Sequence, residues 1–229
     1  MAEPKQARVI ANLSQESPGA LLAFQVDGDS QLPLKGGKYI IINSGLCNEE
    51  GKLIKRAYSL FAVNQEAQQF FLAAERVPGG IASQYLLDLQ VDDTLTFSGP
   101  WGKFFWPEEA VEKQLVAAAF GSGITVILGY LASVPADCEV HLYWYQEGER
   151  ALVNDSIVTE CAADKKIQII PRDFQDDPTL DLSKWEDSGA RFITAGEGVR
   201  ADRFLDHLRE RGVTDDRLQS EIFYRQPVV

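Results

Sequence analysis

Twenty consecutive residues without a charge, LVAAAFGSGITVILGYLASV from Leu115 to Val134, limit what this chain can fold into more than any other feature. A run of that length is enough to span a bilayer as a helix. Its centre argues otherwise. Phe120-Gly121-Ser122-Gly123-Ile124-Thr125 puts two glycines and two hydroxyls where a bilayer helix would carry leucine or isoleucine. The same residues read as a buried strand, a glycine turn and a buried helix. A parallel sheet covered on both faces has continuously apolar strands and helices, so the run needs no lipid and no membrane span is expected.

The rest of the chain supports that choice by changing rhythm halfway. Up to about Pro107, short apolar or alternating segments read as strands: ARVIANLSQES, ALLAFQVDG, KYIIINS, RAYSLFAV, QQFFLAAERV and DTLTFSG. Turn formers such as Pro18-Gly19, Asp27-Gly28 and Gly36-Gly37 separate them, and one short helix is expected from Ile81 to about Leu89. Strands at this spacing predict a closed antiparallel barrel. After Glu108, strands LVAAAF, EVHLYWYQ, KIQIIP, ARFITA and SEIFY alternate with helical stretches, one of them near Ala151–Ala162. In VRADRFLDHLRERG, Ala201, Phe204, Leu205 and Leu208 fall on one helical face and Gly212 supplies the stop. Alternating strands and helices predict a doubly wound parallel sheet. The expected fold is therefore a β barrel plus α/β, with residues 1–108 in the barrel and 109–229 in the parallel-sheet unit.

Charge and cysteine content narrow the function classes. A formal net charge of −12 repels nucleic-acid phosphates and anionic lipid, so neither is an expected partner. The three cysteines, Cys47, Cys138 and Cys161, are too widely spaced for a disulfide framework, a zinc site or an iron–sulfur ligand set. With no apolar core in MAEPKQARVIANLS, a cytoplasmic location is the expectation.

Three stretches carry chemistry. The Gly121–Thr125 loop would lie at the carboxyl end of the first parallel strand, where ligands of open α/β sheets bind and a phosphate can approach backbone N–H groups. Position 126 is Val, so the loop is not GxGxxG, and a purely structural turn is the competing reading. Thr194-Ala195-Gly196-Glu197-Gly198 ends a later strand and opens a helix; two such corners on one sheet edge make either a cleft for an extended dinucleotide or two ordinary tight turns. In the barrel half, Arg56-Ala57-Tyr58-Ser59 puts Arg56 and Tyr58 on one strand face and Ser59 on the other. A flavin calls for such types: a guanidinium for phosphate, a ring to stack on the isoalloxazine and a donor near its redox nitrogen. An exposed strand could also carry them without any ligand.

RAYS resembles the Arg-x-Tyr-Ser flavin motif of the ferredoxin–NADP reductase superfamily, and the order of elements that follows is similar to that family across nearly the whole chain. Val77-Pro78-Gly79-Gly80-Ile81-Ala82-Ser83 resembles its pyrophosphate loop and short helix, and Ser98-Gly99-Pro100-Trp101-Gly102-Lys103-Phe104 the end of its barrel domain. Gly121–Thr125 and Thr194–Gly198 resemble its two nicotinamide-side loops. Glu221-Ile222-Phe223 resembles the C-terminal Glu-x-Phe that sets an aromatic beside the flavin. The resemblance implies FAD as cofactor and NAD(P)H as substrate. Arg56 would pair with the pyrophosphate, Tyr58 would stack on the flavin and Ser59 would stand near N5. Backbone N–H groups of Gly80, Ile81 and Ala82, with the Ser83 hydroxyl, would hold the pyrophosphate.

The resemblance implies an oxidoreductase that moves hydride from nicotinamide to flavin and electrons on to a separate acceptor: an oxygenase component, a carrier or a small molecule. The acidic balance points to a neutral or basic docking face on a protein acceptor. Glu147 and Glu149 would repel a 2′-phosphate and favour NADH slightly over NADPH. There are departures: Val126 replaces a usual proline, Ala195 a frequent cysteine and Lys38 a usual glutamine. The first two define the alternative, a flavin-binding electron-transfer or regulatory subunit without NAD(P)H reactivity.

Overall fold

The computed structural model describes residues 4–14, 17–28, 31–146, 152–179, 182–185 and 187–223. Seven strands make the front half: β1 (Lys5–Asn12), β2 (Ala20–Val26), β3 (Tyr39–Cys47), β4 (Leu53–Ser59), β5 (Ala62–Asn64), β6 (Gln69–Ala74) and β7 (Thr94–Trp101). They form one antiparallel sheet in the order β4-β3-β7-β1-β2-β6-β5. The expected single strand RAYSLFAV breaks at Leu60 and Phe61, and that break closes the barrel. Leu60 donates its N–H to Lys38 O at 2.8 Å and Phe61 donates to Phe71 O at 3.3 Å. The two edges of the curled sheet are therefore joined by the chain itself rather than by a ladder between β4 and β5. Inside, Leu22, Phe24, Phe70, Leu95 and Phe97 are buried, with Phe24 stacked on Phe70 at 5.2 Å and Phe70 edge-on to Phe97 at 5.8 Å. Helix α1 (Ile81–Asp88) covers one end through Tyr85, Leu86 and Leu87.

The rear half is a five-stranded parallel sheet, β10-β9-β8-β11-β12, formed by β8 (Gln114–Phe120), β9 (Glu139–Gln146), β10 (Lys166–Asp173), β11 (Arg191–Glu197) and β12 (Leu218–Phe223). Alternate residues of β8 feed two cores. Leu115, Ala117 and Ala119 pack with α2 (Gly123–Leu131), whereas Val116, Ala118 and Phe120 pack with α4 (Gly198–Glu210). That two-sided burial is why the strand reads as unbroken apolar sequence. Helix α2 is buried along its whole length, and no helix among the described residues is long and apolar enough to cross a membrane. Helix α3 (Asp155–Cys161) is shorter than the expected 151–162 stretch, because the Asn154 side chain accepts the Ile157 N–H at 3.0 Å and fixes the start there. On α4, Ala201, Phe204, Leu205 and Leu208 are all buried, as their spacing requires.

The halves meet along α2. Leu21, Phe61, Ala73, Phe104 and Trp106 of the front half share a core with Ile124, Ile127 and Tyr130. At one point backbone touches backbone: a Cβ on Gly129 would lie 2.5 Å from Leu60 O and 2.6 Å from Gly37 N, and one on Gly36 only 2.3 Å from Gly129 O. Phe104 and Trp106 are buried, whereas Trp101 is 42% exposed.

Candidate functional site

The strand order reverses between β8 and β11, and the carboxyl ends of those strands carry the two glycine corners. Open α/β sheets bind ligands at such a switch point. The corners are in contact: a Cβ on Gly123 would sit 2.0 Å from Ala195 O, so only glycine lets α2 start this close to the end of β11. Phe223 pairs with Glu197 and Ile222 with Gly196 across β11 and β12. Gln219 fixes the face on which this strand looks forward. Its Oε1 accepts the Tyr130 hydroxyl at 2.6 Å and its Nε2 donates to Phe105 O at 3.4 Å. Two and four residues on, Glu221 and Phe223 therefore face the barrel, and Phe223 packs on the core shared by both halves. Burial raises the Glu221 carboxyl above its usual range.

On the barrel side, Tyr58 pairs with Ile40 and Arg56 with Ile42, so both share the strand face on which Tyr58 packs against the barrel core, while Ala57 and Ser59 share the opposite face with Ile41 and Tyr39. Arg56 and Ala57 are exposed and Ser59 is half-buried. Arg56 donates to Lys55 O at 2.9 Å. The Tyr58 hydroxyl is pushed up to about 12 by burial, opposed by the Arg56 charge, which keeps the phenol neutral at physiological pH. Because Leu60 abuts Gly129, the end of RAYS lies directly against α2. The barrel half reaches the first corner through Glu75, whose Oε1 accepts the Ser122 N–H at 2.7 Å.

In the loop before α1, part of the expected donor set is turned inward. Gly80 N–H is bonded to Val77 O at 2.8 Å, and the Ser83 hydroxyl turns back to Val77 and Gly80. Neither is directed outward, contrary to expectation, because the tight turn uses both. The first-turn N–H groups of Ile81, Ala82 and Ser83 have no intrahelical acceptor, no side chain caps them, and no acid occupies the first turn. Gly79, at φ +70°, has nothing within 4 Å of where a Cβ would stand. A groove of about 370 Å³ opens beside it, lined by Leu46, Val77, Gly80, Ile81 and Tyr85.

The Gly121–Thr125 corner differs, and here the expectation of a phosphate cradle is corrected. Gly121 N–H goes to Tyr145 O, Ile124 N–H to Gly121 O and Thr125 N–H to Ser122 O, and the Thr125 hydroxyl also donates to Ser122 O. Ser122 N–H donates to Glu75 Oε1 of the barrel half at 2.7 Å. The Glu197 carboxylate likewise serves its own helix, accepting from Val199 and Arg200 N–H. Anions of the protein already occupy both helix starts. Sequence reasoning missed Glu75, which lies 47 residues from its partner. It also missed Arg200, whose guanidinium lies 4.8 Å from the Phe174 ring and 5.5 Å from Phe120, donating to Asp176 O. Glu147 and Glu149 lie outside the described residues.

Known proteins agree with this architecture. Residues 8–106 match the oxidoreductase FAD-binding domain family. The chain is 33% identical over 151 residues to ferredoxin–NADP reductase B of Sorangium cellulosum, covering 65% of this chain and 59% of that protein. It is 32% identical over 111 residues to the anthranilate 1,2-dioxygenase electron transfer component of Acinetobacter baylyi, covering 47% of this chain and 32% of that one. The chain thus spans less than two thirds of the length of these relatives. Its fold superposes on the flavohem-like FAD/NAD-binding domain of nitric oxide dioxygenase from Vibrio cholerae with a TM-score of 0.77 at 20% identity, covering 96% of this chain and 98% of that domain. Residues 8–106 thus match an oxidoreductase FAD-binding domain, and with its antiparallel front sheet and parallel rear sheet in that order the chain is similar to ferredoxin–NADP reductase-like flavoproteins.

Proposed function

We propose that this protein is an FAD-dependent NAD(P)H oxidoreductase that passes electrons to a separate acceptor, be it an oxygenase component, a carrier or a small molecule. The observation that supports the reading is the joint between the halves: the chain just after RAYS abuts α2 at Gly129, Glu75 of the barrel half bonds the Gly121–Thr125 corner, and Phe223 packs on the core that both halves share. In this reading residues 1–108 form the flavin unit and 109–229 the nucleotide unit.

The barrel side fits FAD on its own chemistry. The free N–H groups of Ile81, Ala82 and Ser83 suit a pyrophosphate, and the side-chain-free surface of Gly79 lets one approach. Arg56 adds a guanidinium to that anion site. Tyr58 offers a neutral ring against the isoalloxazine, and Ser59 and Phe223 border the place where flavin and nicotinamide meet. Bound FAD would supply the two-electron chemistry, while the protein orients and insulates it. Gly123 and Gly196 let the two corners meet backbone to backbone, which would set both at the place where a nicotinamide approaches. At the outer ends of β9 and β10 a groove of about 330 Å³ is lined by Gln146, Arg172, Asp173 and Asp176. Its carboxylates suit a ribose diol better than a 2′-phosphate, which favours NADH over NADPH. The acceptor's docking face would be neutral or basic, complementing the acidic chain. Three free thiols suit a reducing cytoplasm.

Anaerobic mixing of FAD-loaded protein with NADH and with NADPH tests the reading. Loss of flavin absorbance with either nucleotide is expected. If the flavin stays oxidised with both, the reductase reading falls. The second reading, a flavin-binding electron-transfer or regulatory subunit, then stands; its support is that four of the five N–H groups at the Gly121–Thr125 corner are already occupied.

A further inference from the structure

Glu75 belongs to none of the recognised motifs, yet it stands between the two candidate ligand sites. It follows β6, immediately precedes the Val77–Gly80 loop and reaches out of the front half to the start of α2. A Cβ on Gly121 would lie 2.9 Å from the oxygen that accepts the Ser122 N–H. The second oxygen, Oε2, makes no hydrogen bond among the described residues. The residue is half-buried.

A carboxylate on a helix N-terminus is in a favourable field, and that alone would make Glu75 a staple between the halves. Its position gives it a second consequence. Four of the corner's five N–H groups, those of Gly121, Ser122, Ile124 and Thr125, have acceptors, which leaves only Gly123 N–H to offer a phosphate. An oxyanion placed there would meet Glu75 instead. What gains from an anion with an open oxygen is a cation or a hydrogen-bond donor. A dihydronicotinamide ring is neutral; when hydride leaves, one proton and two electrons depart together and the ring keeps a single positive charge.

We propose that Glu75 is a specificity-determining residue of the nicotinamide site: its carboxylate favours the oxidised, cationic ring over the reduced one and excludes phosphate from the Gly121–Ser122 corner. The proposal rests on the reductase reading given above. Attraction between unit charges near a protein surface, discounted for solvent screening at a half-buried group, amounts to about a tenfold preference.

The test is calorimetric titration of FAD-loaded protein with two dinucleotides that cannot reduce it: NAD+, with a charged ring, and tetrahydro-NADH, with a neutral one. Wild type should bind NAD+ more tightly. Glu75→Gln keeps an oxygen for the Ser122 N–H and removes the charge; it should lose the preference by about tenfold while affinity for tetrahydro-NADH changes by less than about twofold. Glu75→Asp, which keeps the charge, should retain most of the preference. Equal preference in wild type and Glu75→Gln overturns the proposal, as does an equal loss of both ligands, which would make Glu75 a staple only. If wild type binds neither dinucleotide and NADH leaves the flavin oxidised, the reductase reading fails and takes this proposal with it. If NADH reduces the flavin and the preference is unmoved, this proposal alone fails.

Discussion

Two glycine-bearing loops, Val77–Ser83 and Gly121–Thr125, look alike as sequence, and each opens a helix beside a strand end. The first opens an uncapped helix with no acid in its first turn, beside a groove lined in part by Gly79, Gly80, Ile81 and Asp88. The second has four of its five N–H groups bonded inward or to Glu75, and Gly123 is in close contact with the backbone of β11 rather than with open space. The lesson is that glycine serves two unrelated needs. In one loop it permits a positive φ beside open space; in the other it lets a helix start and a strand end touch.

The largest effect that could break this comparison comes from adding one methyl to each loop. Gly123→Ala drives a Cβ to 2.0 Å from Ala195 O, a backbone atom that cannot swing away. Thermal unfolding should show a loss of about 3 kcal/mol. Gly79→Ala meets no atom and bears only the cost of a positive φ, about 1 kcal/mol in the same measurement. Equal losses at both positions would erase the distinction.

Next comes the charge beside the open loop. Arg56→Ala should weaken FAD binding by about 2 kcal/mol, the worth of a charge-assisted contact to phosphate. Flavin titration of the apoprotein reads this directly, and unchanged affinity would remove RAYS from the site.

A smaller effect tests how firmly β12 is aimed at the crevice. Tyr130→Phe removes the 2.6 Å bond to Gln219 and should cost about 1 kcal/mol in denaturant unfolding. Altered nucleotide reactivity in this variant would show that Glu221 and Phe223 depend on that bond for their direction.

The smallest is a pH effect on the nucleotide side. Burial raises the folded-state pKa of Glu221, so the folded protein binds the proton more tightly than the unfolded chain. Stability from this group is present at low pH and declines as pH rises through the raised value. Glu221→Gln should therefore be more stable than wild type near neutrality, and the gap should close toward pH 4. A gap of constant size across that range would contradict the burial assignment.

Much of the architecture was legible because it is written in short-range patterns. The i, i+3, i+4, i+7 spacing in α4 and the uncharged run of β8 and α2 each describe their own surroundings. RAYS placed Arg56 and Tyr58 on one face by period two alone, and the β3–β4 register agrees. What could not be read is what a hydrogen bond over a long sequence separation decides. The Glu75–Ser122 bond spans 47 residues and no local periodicity encodes it. Ser83 escaped for another reason: its hydroxyl has two local choices, outward or back onto Val77 and Gly80, and the sequence does not say which it takes. Arg200 looked like any exposed cation of an amphipathic helix, because its aromatic neighbours Phe120 and Phe174 come from other elements.

The meeting of Gly36, Gly129 and Leu60 has a consequence for how such proteins diversify. Two halves joined main chain to main chain are not interchangeable cassettes. Grafting a foreign front half onto this rear half would succeed only where the incoming part also offers a bare peptide at the position of Gly36, where a Cβ would lie 2.3 Å from Gly129 O. A side chain there would prise the seam apart.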